Sequence, residues 1–257
     1  MFFIADYAVF TACTAIFIAF FIAMAPGVAS AQPAVSAEPL RRFSSAAAAL
    51  PPEPWRVVGL PASKVAMTQF DIVPLEGKQV LRLLTDKSYG TLSHALPAGT
   101  QAGMLRWQWR LEKPMPVANL LRKEGDDAPL KVCAMFDLPL EKIGFYERNL
   151  LRLARSVSGE HLPGATLCYV WDHKLPAGSE LPNAYTKRLR FVVLDSGTQQ
   201  LGQWVTHARD LRVDFLKSFG TETDTVPPLL AILVGADGDN TASQSLGYLG
   251  DMSLMKQ

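Results

Sequence analysis

The chain has 257 residues, of which 49% are hydrophobic and 19% charged, and its formal net charge is +1. These values are typical of a folded globular protein and exclude a disordered or fibrous one. The near-neutral charge also argues against a nucleic-acid partner, which requires a clustered basic face. The densest basic stretch, residues 187–190, has its charges beside alternating apolar residues, so we expect it to form the solvent side of a strand.

The first 31 residues have the features of a secretory signal peptide. An apolar run over residues 7–25 is followed by Pro26-Gly27 and by Ala29-Ser30-Ala31, a cleavage signal of small residues. The run is long for a cleaved signal, and Asp6 precedes it without any basic residue, so an uncleaved membrane anchor is the alternative. In both cases we expect the rest of the chain outside the cytoplasm. It is then periplasmic or secreted, or it is held at the inner membrane through the uncleaved segment alone.

Residues 32–54 are predicted to be a flexible linker. The segment is rich in alanine between Ser44 and Leu50, and the prolines of Pro51-Pro52-Glu53-Pro54 follow, a composition typical of linkers. The folded domain is therefore expected to span residues 55–257.

Short runs of alternating apolar and polar residues, separated by turn residues, recur through this domain. They predict an all-β fold, an antiparallel β-sandwich or jelly roll of about eight to ten strands. The predicted strands are residues 79–85, 90–96, 104–112, 130–138, 165–171, 187–195, 229–235 and 246–255.

Individual runs also indicate where the core lies. Trp107 and Trp109 share the apolar face of their run and are expected to point into the core. The run 229–235 has no polar face, so we expect a central strand that is covered on both sides. Helical spacing predicts two short helical insertions, over residues 143–157 and 210–219.

Cys133 and Cys168 lie in successive predicted strands. In an oxidising compartment they can form a disulfide. The alternative is a pair of buried thiols, because Cys133 shares a face with Met135, and Cys168 with Val170.

Motifs in the middle and C-terminal parts of the chain resemble those of a bacterial family. They include Leu105-Arg106-Trp107-Gln108-Trp109, Lys123-Glu124-Gly125-Asp126-Asp127, Tyr169-Val170-Trp171, Asn183-Ala184-Tyr185-Thr186, Gly202-Gln203-Trp204, Asp237-Gly238-Asp239-Asn240-Thr241 and Tyr248-Leu249-Gly250-Asp251. In this order they resemble the family called domain of unknown function 3047, over most of residues 103–255. The resemblance implies an exported protein with a sandwich similar to galactose-binding-like jelly rolls, and it implies no established activity. One departure is Lys131, where the resemblance leads us to expect an arginine; lysine would lose a bidentate contact.

Asp126 and Asp127 form the first candidate binding pair. They follow Gly125 and precede a predicted strand, so both carboxylates could leave the loop towards a cation or a polar ligand. The alternative is a solvated turn in which one aspartate caps backbone amides.

Asp237, Asp239 and Asn240 form a second candidate, in the loop before the last predicted run. Acids two residues apart lie on one side of an extended segment, and an amide oxygen completes a set of ligands suited to Ca²⁺. Asp237 and Asp239 are therefore candidate Ca²⁺ ligands. The loop is not an EF-hand, because Tyr248 stands at the twelfth position, and the alternative is a plain loop.

Trp171, Asn183 and Tyr185 are candidate ligand contacts near the end of a strand and in the next loop. An aromatic ring there could stack on a sugar, and Asn183 and Tyr185 could approach the same place. The alternatives are that Trp171 covers the core, since it shares a face with Leu167 and Tyr169, and that Tyr185 packs against the turn.

Recurrent catalytic motifs are absent: the sequence has no G-x-S-x-G, H-E-x-x-H, C-x-x-C, P-loop or G-x-G-x-x-G. This argues against a classical hydrolase, zinc enzyme or nucleotide enzyme. The resemblance to galactose-binding-like sandwiches favours a non-catalytic envelope module that binds a carbohydrate or another polar ligand. The alternatives are an assembly protein whose envelope-protein partner contacts residues 141–158, and a glycan-active enzyme that uses paired carboxylates.

The signal peptide predicts cleavage after Ala31, which leaves Gln32 as the N-terminal residue, because only there do small residues at −3 and −1 follow the apolar run. The intact mass of protein from the periplasmic fraction checks this. A full-length mass in the membrane fraction would support the anchor instead.

Overall fold

The structure is a computed structural model and describes residues 40–47, 49–59, 65–158 and 162–255. The predicted signal peptide and the first part of the predicted linker lie outside these residues. Within the described part of the chain, no helix has both the length and the apolar character needed to cross a membrane.

Two β-sheets and two short helices make up the described domain, which confirms the predicted all-β fold. The strands are β1 Arg56–Val58, β2 Ala66–Met67, β3 Gln69–Leu75, β4 Lys78–Asp86, β5 Ser88–Thr100, β6 Met104–Lys113, β7 Ala128–Phe136, β8 Ala165–Asp172, β9 Glu180–Pro182, β10 Leu189–Ser196, β11 Val205–Asp210, β12 Leu229–Asp237, β13 Gln244–Leu249 and β14 Ser253–Met255. The helices are α1 Phe145–Ser158 and α2 Leu211–Phe219.

The larger sheet, sheet A, has the order β1-β5-β12-β7-β8-β10-β9, with β2 beside β5. Sheet B has the order β11-β6-β13-β4-β3, with β14 beside β6. Neighbouring strands are antiparallel except for the parallel pairs β8 with β10 and β2 with β5. As expected for a run without a polar face, β12 is central, between β5 and β7.

The core lies between the two sheets. From sheet B it contains Trp107 and Trp109, which are 2% and 0% exposed, as their alternation predicts. From sheet A, Leu130, Val132 and Ala134 enter the same core. The intervening residues of β7 therefore point to the opposite face of sheet A, which we call the outer face and which carries a smaller apolar cluster around Cys133.

Helix α2 begins at a side-chain cap. Asp210 accepts hydrogen bonds from the backbone N–H groups of Arg212 and Val213, which satisfies donors that the first helical turn leaves free. The predicted and observed helices agree closely at both insertions.

Two expectations about individual runs of the sequence differ from the structure. The run 246–255 is divided into β13 and β14. Arg188 in the basic stretch is only 8% exposed, because its guanidinium pairs with Glu222 at 2.6 Å; the prediction of a solvent face is wrong there.

The described part of the predicted linker packs on the domain. Leu40 and Phe43 belong to the core, and the Phe43 ring lies 5.0 Å from that of Trp55. Ser44 contributes two hydrogen bonds to the carboxylate of Asp251. Two apolar side chains that precede the alanine-rich stretch therefore anchor this segment.

Cys133 and Cys168 are register partners on β7 and β8, with their Cα atoms 4.0 Å apart, and they form a disulfide. The predicted pairing is confirmed. The two residues are also buried, as the alternative of buried thiols expected, since they are 2% and 1% exposed.

Replacing both cysteines by alanine should lower the free energy of unfolding by about 3 kcal/mol, because the bond restricts the unfolded chain. Denaturant unfolding with and without reductant measures the loss. Peptide mapping of the unreduced parent should show the two peptides linked; unlinked peptides, or a reductant-independent midpoint, would contradict the assignment.

Candidate functional site

A pocket of about 500 Å³ opens on the outer face of sheet A, beside the ends of β7 and β12. It brings together seven of the eight residues that the sequence analysis singled out. These are Asp126, Asp127, Asn183, Tyr185, Asp237, Asp239 and Asn240.

The two acidic loops are joined by Asp127. Its Oδ1 atom accepts a hydrogen bond from the backbone N–H of Asn240, and its Oδ2 atom accepts from the backbone N–H of Thr241 at 2.7 Å. The Thr241 hydroxyl also donates to Oδ2. Asp127 thus caps backbone amides, as in the alternative of a capped turn. The amides belong to the other loop, however, and Asp127 is not solvated, since it is 1% exposed.

An ion pair lies in the wall of the pocket. Lys131 Nζ donates to Asp237 Oδ2 at 2.7 Å, and the backbone N–H of Ala128 donates to Asp237 Oδ1. Burial opposes the charged form of Lys131, but Asp237, Tyr89 and Asp126 together outweigh burial and raise the pKa of the ammonium group. Gly235 makes room, since a Cβ atom there would lie 2.8 Å from Lys131 Cε.

Asp126 and Asp239 each present an oxygen atom without a partner. Asp126 Oδ2 accepts from Asn183 Nδ2 at 2.5 Å, while the Oδ1 atoms of Asp126 and Asp239 are buried with no hydrogen-bond partner among the described residues. Burial raises the pKa of Asp126 to about 6, aided by the charges of Asp237 and Asp127. Burial and the same two charges also raise the pKa of Asp239.

Tyr185 supplies an aromatic wall at the mouth of the pocket. It is 56% exposed. Its hydroxyl group lies 3.0 Å from the Lys123 carbonyl and 3.1 Å from Asn240 Oδ1, either of which it can donate to. Lys123 Nζ lies 5.4 Å from the ring centroid. The ring is therefore held at its hydroxyl end while the rest contacts solvent.

Trp171 lies elsewhere. It is 1% exposed in the core, its ring faces Trp109 at 6.3 Å, and its Nε1 atom donates to the Gly197 carbonyl. The ligand-contact prediction is therefore replaced by the core alternative, because residues of one face of β8 all turn towards sheet B.

Sequence reasoning missed Lys131 and Tyr89 as pocket residues. Tyr89 lines the pocket from β5, with Lys131 Nζ 5.3 Å from its ring centroid. The signal for Lys131 was present, because a lone base in an otherwise apolar strand needs a buried partner. Nothing in the local pattern around Tyr89 marks it.

The predicted metal pair gains a third carboxylate. Oxygen atoms of Asp127, Asp237 and Asp239 lie within 4.8 Å of one another, a spacing that could hold a cation. Lys131 already places a positive charge against Asp237, however, and Asp127 is occupied by Asn240 and Thr241. Ca²⁺ binding by Asp237 and Asp239 stays a prediction.

Comparison with known protein families shows which family the chain belongs to. The family model described as "Protein of unknown function (DUF3047)" matches residues 53–253. The chain belongs to this family. No curated protein matches the chain.

Three solved structures that are similar to this chain have low sequence identity to it. The K2 cleaved adhesin domain of Lys-gingipain has 10% identity and a TM-score of 0.39, covering 84% of this chain and 98% of the other. TmCBM61 in complex with β-1,4-galactotriose has 11% identity and a TM-score of 0.35, with coverages of 80% and 90%. The cellulose-induced protein Cip1 has 13% identity, a TM-score of 0.35 and coverages of 79% and 91%. None is similar enough to assign a ligand to this chain.

Asp126→Asn should reduce the pH dependence of stability. A carboxyl whose pKa is raised on folding favours the folded state below its unfolded pKa, and that contribution is lost as the pH rises through the folded value of about 6. Because Asp126 is partly exposed, solvent screens part of this effect, and the expected loss in the free energy of unfolding is about 1 to 2 kcal/mol. Asparagine does not ionise, so the stability of the variant relative to the parent should increase as the pH rises.

Urea unfolding between about pH 4 and pH 8 measures this difference. Asp224→Asn, an exposed acid outside the pocket, is the control and should track the parent. A constant difference between parent and Asp126→Asn across the range would contradict the assignment.

Proposed function

We propose that this protein is an exported, non-catalytic module that binds a hydroxyl-rich ligand, of the carbohydrate class, in the pocket beside β7 and β12. The observation that carries the proposal is the pair of buried, unpartnered oxygen atoms on Asp126 and Asp239. A buried acceptor without a donor is costly. Hydroxyl groups of a ligand would supply the missing donors.

The charges of the pocket narrow the ligand class. Among the described residues that line it, four are aspartates, at 126, 127, 237 and 239, and one is a base, Lys131; Lys123 lies at the mouth, over Tyr185. An anionic ligand such as a phosphate or a uronic acid would be repelled. A neutral polyol or a ligand with a protonated amine fits this balance.

The remaining wall groups suit a sugar. Tyr185 offers an exposed ring on which the apolar face of a pyranose can stack. Leu120, Leu189 and Phe191 add apolar surface. A concave, mixed wall with a few polar groups is the usual form of a small-molecule site.

A glycan-active enzyme is a second candidate, and the pKa of Asp126 near 6 favours it. A carboxyl whose pKa is raised towards neutrality can act as a general acid. Incubation of a bound glycan with the protein, followed by an assay for new reducing ends, separates the two functions. We expect none to form.

In a glycan-array screen followed by calorimetry, Asp239→Asn and Tyr185→Ala should each weaken binding about tenfold or more. The first change removes a charged acceptor, and the second removes the stacking surface. Asp224→Asn should bind like the parent.

Calorimetry in EDTA and in CaCl₂ tests the role of a cation. Because Lys131 supplies the positive charge beside Asp237, we expect that glycan binding does not require Ca²⁺ and that the affinity for the glycan is equal in both buffers. Affinity that requires Ca²⁺ would assign an ion to Asp237 and Asp239, and binding unaffected by both pocket variants would place the ligand elsewhere.

A further inference from the structure

The acidic pocket continues into an apolar groove. The groove has a volume of about 540 Å³ and lies along the same outer face of sheet A; its lining is mainly apolar, and Glu147 and Arg188 add charged side chains to it. Four residues line both cavities and form the boundary between them: Tyr89, Tyr185, Thr186 and Leu189. The two cavities therefore adjoin at this boundary.

The change from polar to apolar runs along the strands. On β7, Lys131 lines the acidic pocket and Met135 lines the groove. On the neighbouring strand β12, Asp237 lines the acidic pocket and Leu233 lines the groove. Four residues of strand span about 13 Å, so the charged cavity and the mainly apolar cavity lie end to end along the strands. We call the two cavities together the trough.

Helix α1 supplies the second wall of the groove. Leu150, Leu151 and Ala154 line it from the helix, and Leu162 and Pro163 line it from the segment that follows. Leu151 is 7% exposed, whereas Leu150 remains 46% exposed at the rim. This wall is therefore mainly apolar, with Glu147 as a charged residue of the helix in it, and it is only partly closed by the protein itself.

We propose that the trough binds an amphiphile, with a donor-bearing head at Asp126 and Asp239 and a hydrocarbon tail in the groove beneath α1. This inference rests on the proposed function and names the ligand class of that same site. The head carries hydroxyl groups or an ammonium group, because the unpartnered carboxylate oxygens accept hydrogen bonds. The tail removes Met135, Leu233 and Leu150 from water.

Continuity with the acidic pocket favours this ligand over a docked protein helix. A helix has a diameter of about 10 Å and would cover the groove without placing a donor group at Asp126. The other exposed apolar residues of α1, among them Tyr146, Leu153 and Val157, do not line the groove and form no part of the proposal.

A series of probes with one head and increasing tail length tests the inference on the purified protein. Methyl, hexyl and octyl glucoside are titrated below their micelle concentrations by calorimetry, with NMR for the weakest. Affinity should rise about twofold to fourfold per methylene group. Octylammonium chloride replaces the hydroxyl head with an ammonium head and identifies which donor the site prefers.

Two matched variants on α1 locate the tail. Leu150→Gln should reduce the gain from methyl to octyl glucoside at least tenfold and leave methyl glucoside unchanged. Leu153→Gln, which changes an exposed leucine of the same helix outside the groove, should behave like the parent. Asp239→Asn should weaken every glucoside by the same factor, because it acts on the head.

The outcomes separate this inference from the proposed function. If methyl glucoside binds and tail length adds nothing, the amphiphile inference is overturned and sugar binding stands. If the tail increases affinity but Asp239→Asn has no effect, the head assignment is overturned. If no probe binds, or if Leu150→Gln and Leu153→Gln reduce binding equally, the trough is not the site.

Discussion

The buried ion pair between Lys131 and Asp237 organises the end of sheet A on which the site depends. It joins β7 to β12 at 2.7 Å, and Asp237 also holds the backbone N–H of Ala128 at the start of β7. Removing one partner would leave an uncompensated buried charge, which is strongly destabilising. Because both acidic loops leave the sheet beside this pair, their positions follow from it.

Asp127 carries that order from the strands into the loops. Its side chain accepts hydrogen bonds from the backbone of Asn240 and Thr241, so the loop after β12 is fixed to the loop before β7. Asp126 and Asp239 are then held with oxygen atoms that no described group satisfies. Asp237 and Asp127 thus hold the loops in place, and the loops present Asp126 and Asp239 to a ligand. A rigid scaffold presents a binding group in this way.

The two faces of sheet A explain why polar and apolar cavities meet. The inner face is covered by sheet B, while the outer face is covered only in part, by the small cluster around the Cys133–Cys168 disulfide and by α1. Strand alternation places Lys131, Cys133 and Met135 in a row on this outer face. One strand thus supplies the charged end, the cross-linked middle and the apolar end.

The sequence by itself determined the strands with clear alternation, the two helices and the acidic loops, because these depend on local periodicity and spacing. It left open whether Cys133 and Cys168 pair, which the register of β7 and β8 decided. Tertiary structure alone decided the rest. It paired β8 with β10 in parallel, buried Trp171 and Arg188, and packed Phe43 into the core. It also combined Asp126, Asn183 and Asp239 into one pocket. These outcomes depend on contacts between residues far apart in the chain, and no local pattern encodes which strands become neighbours.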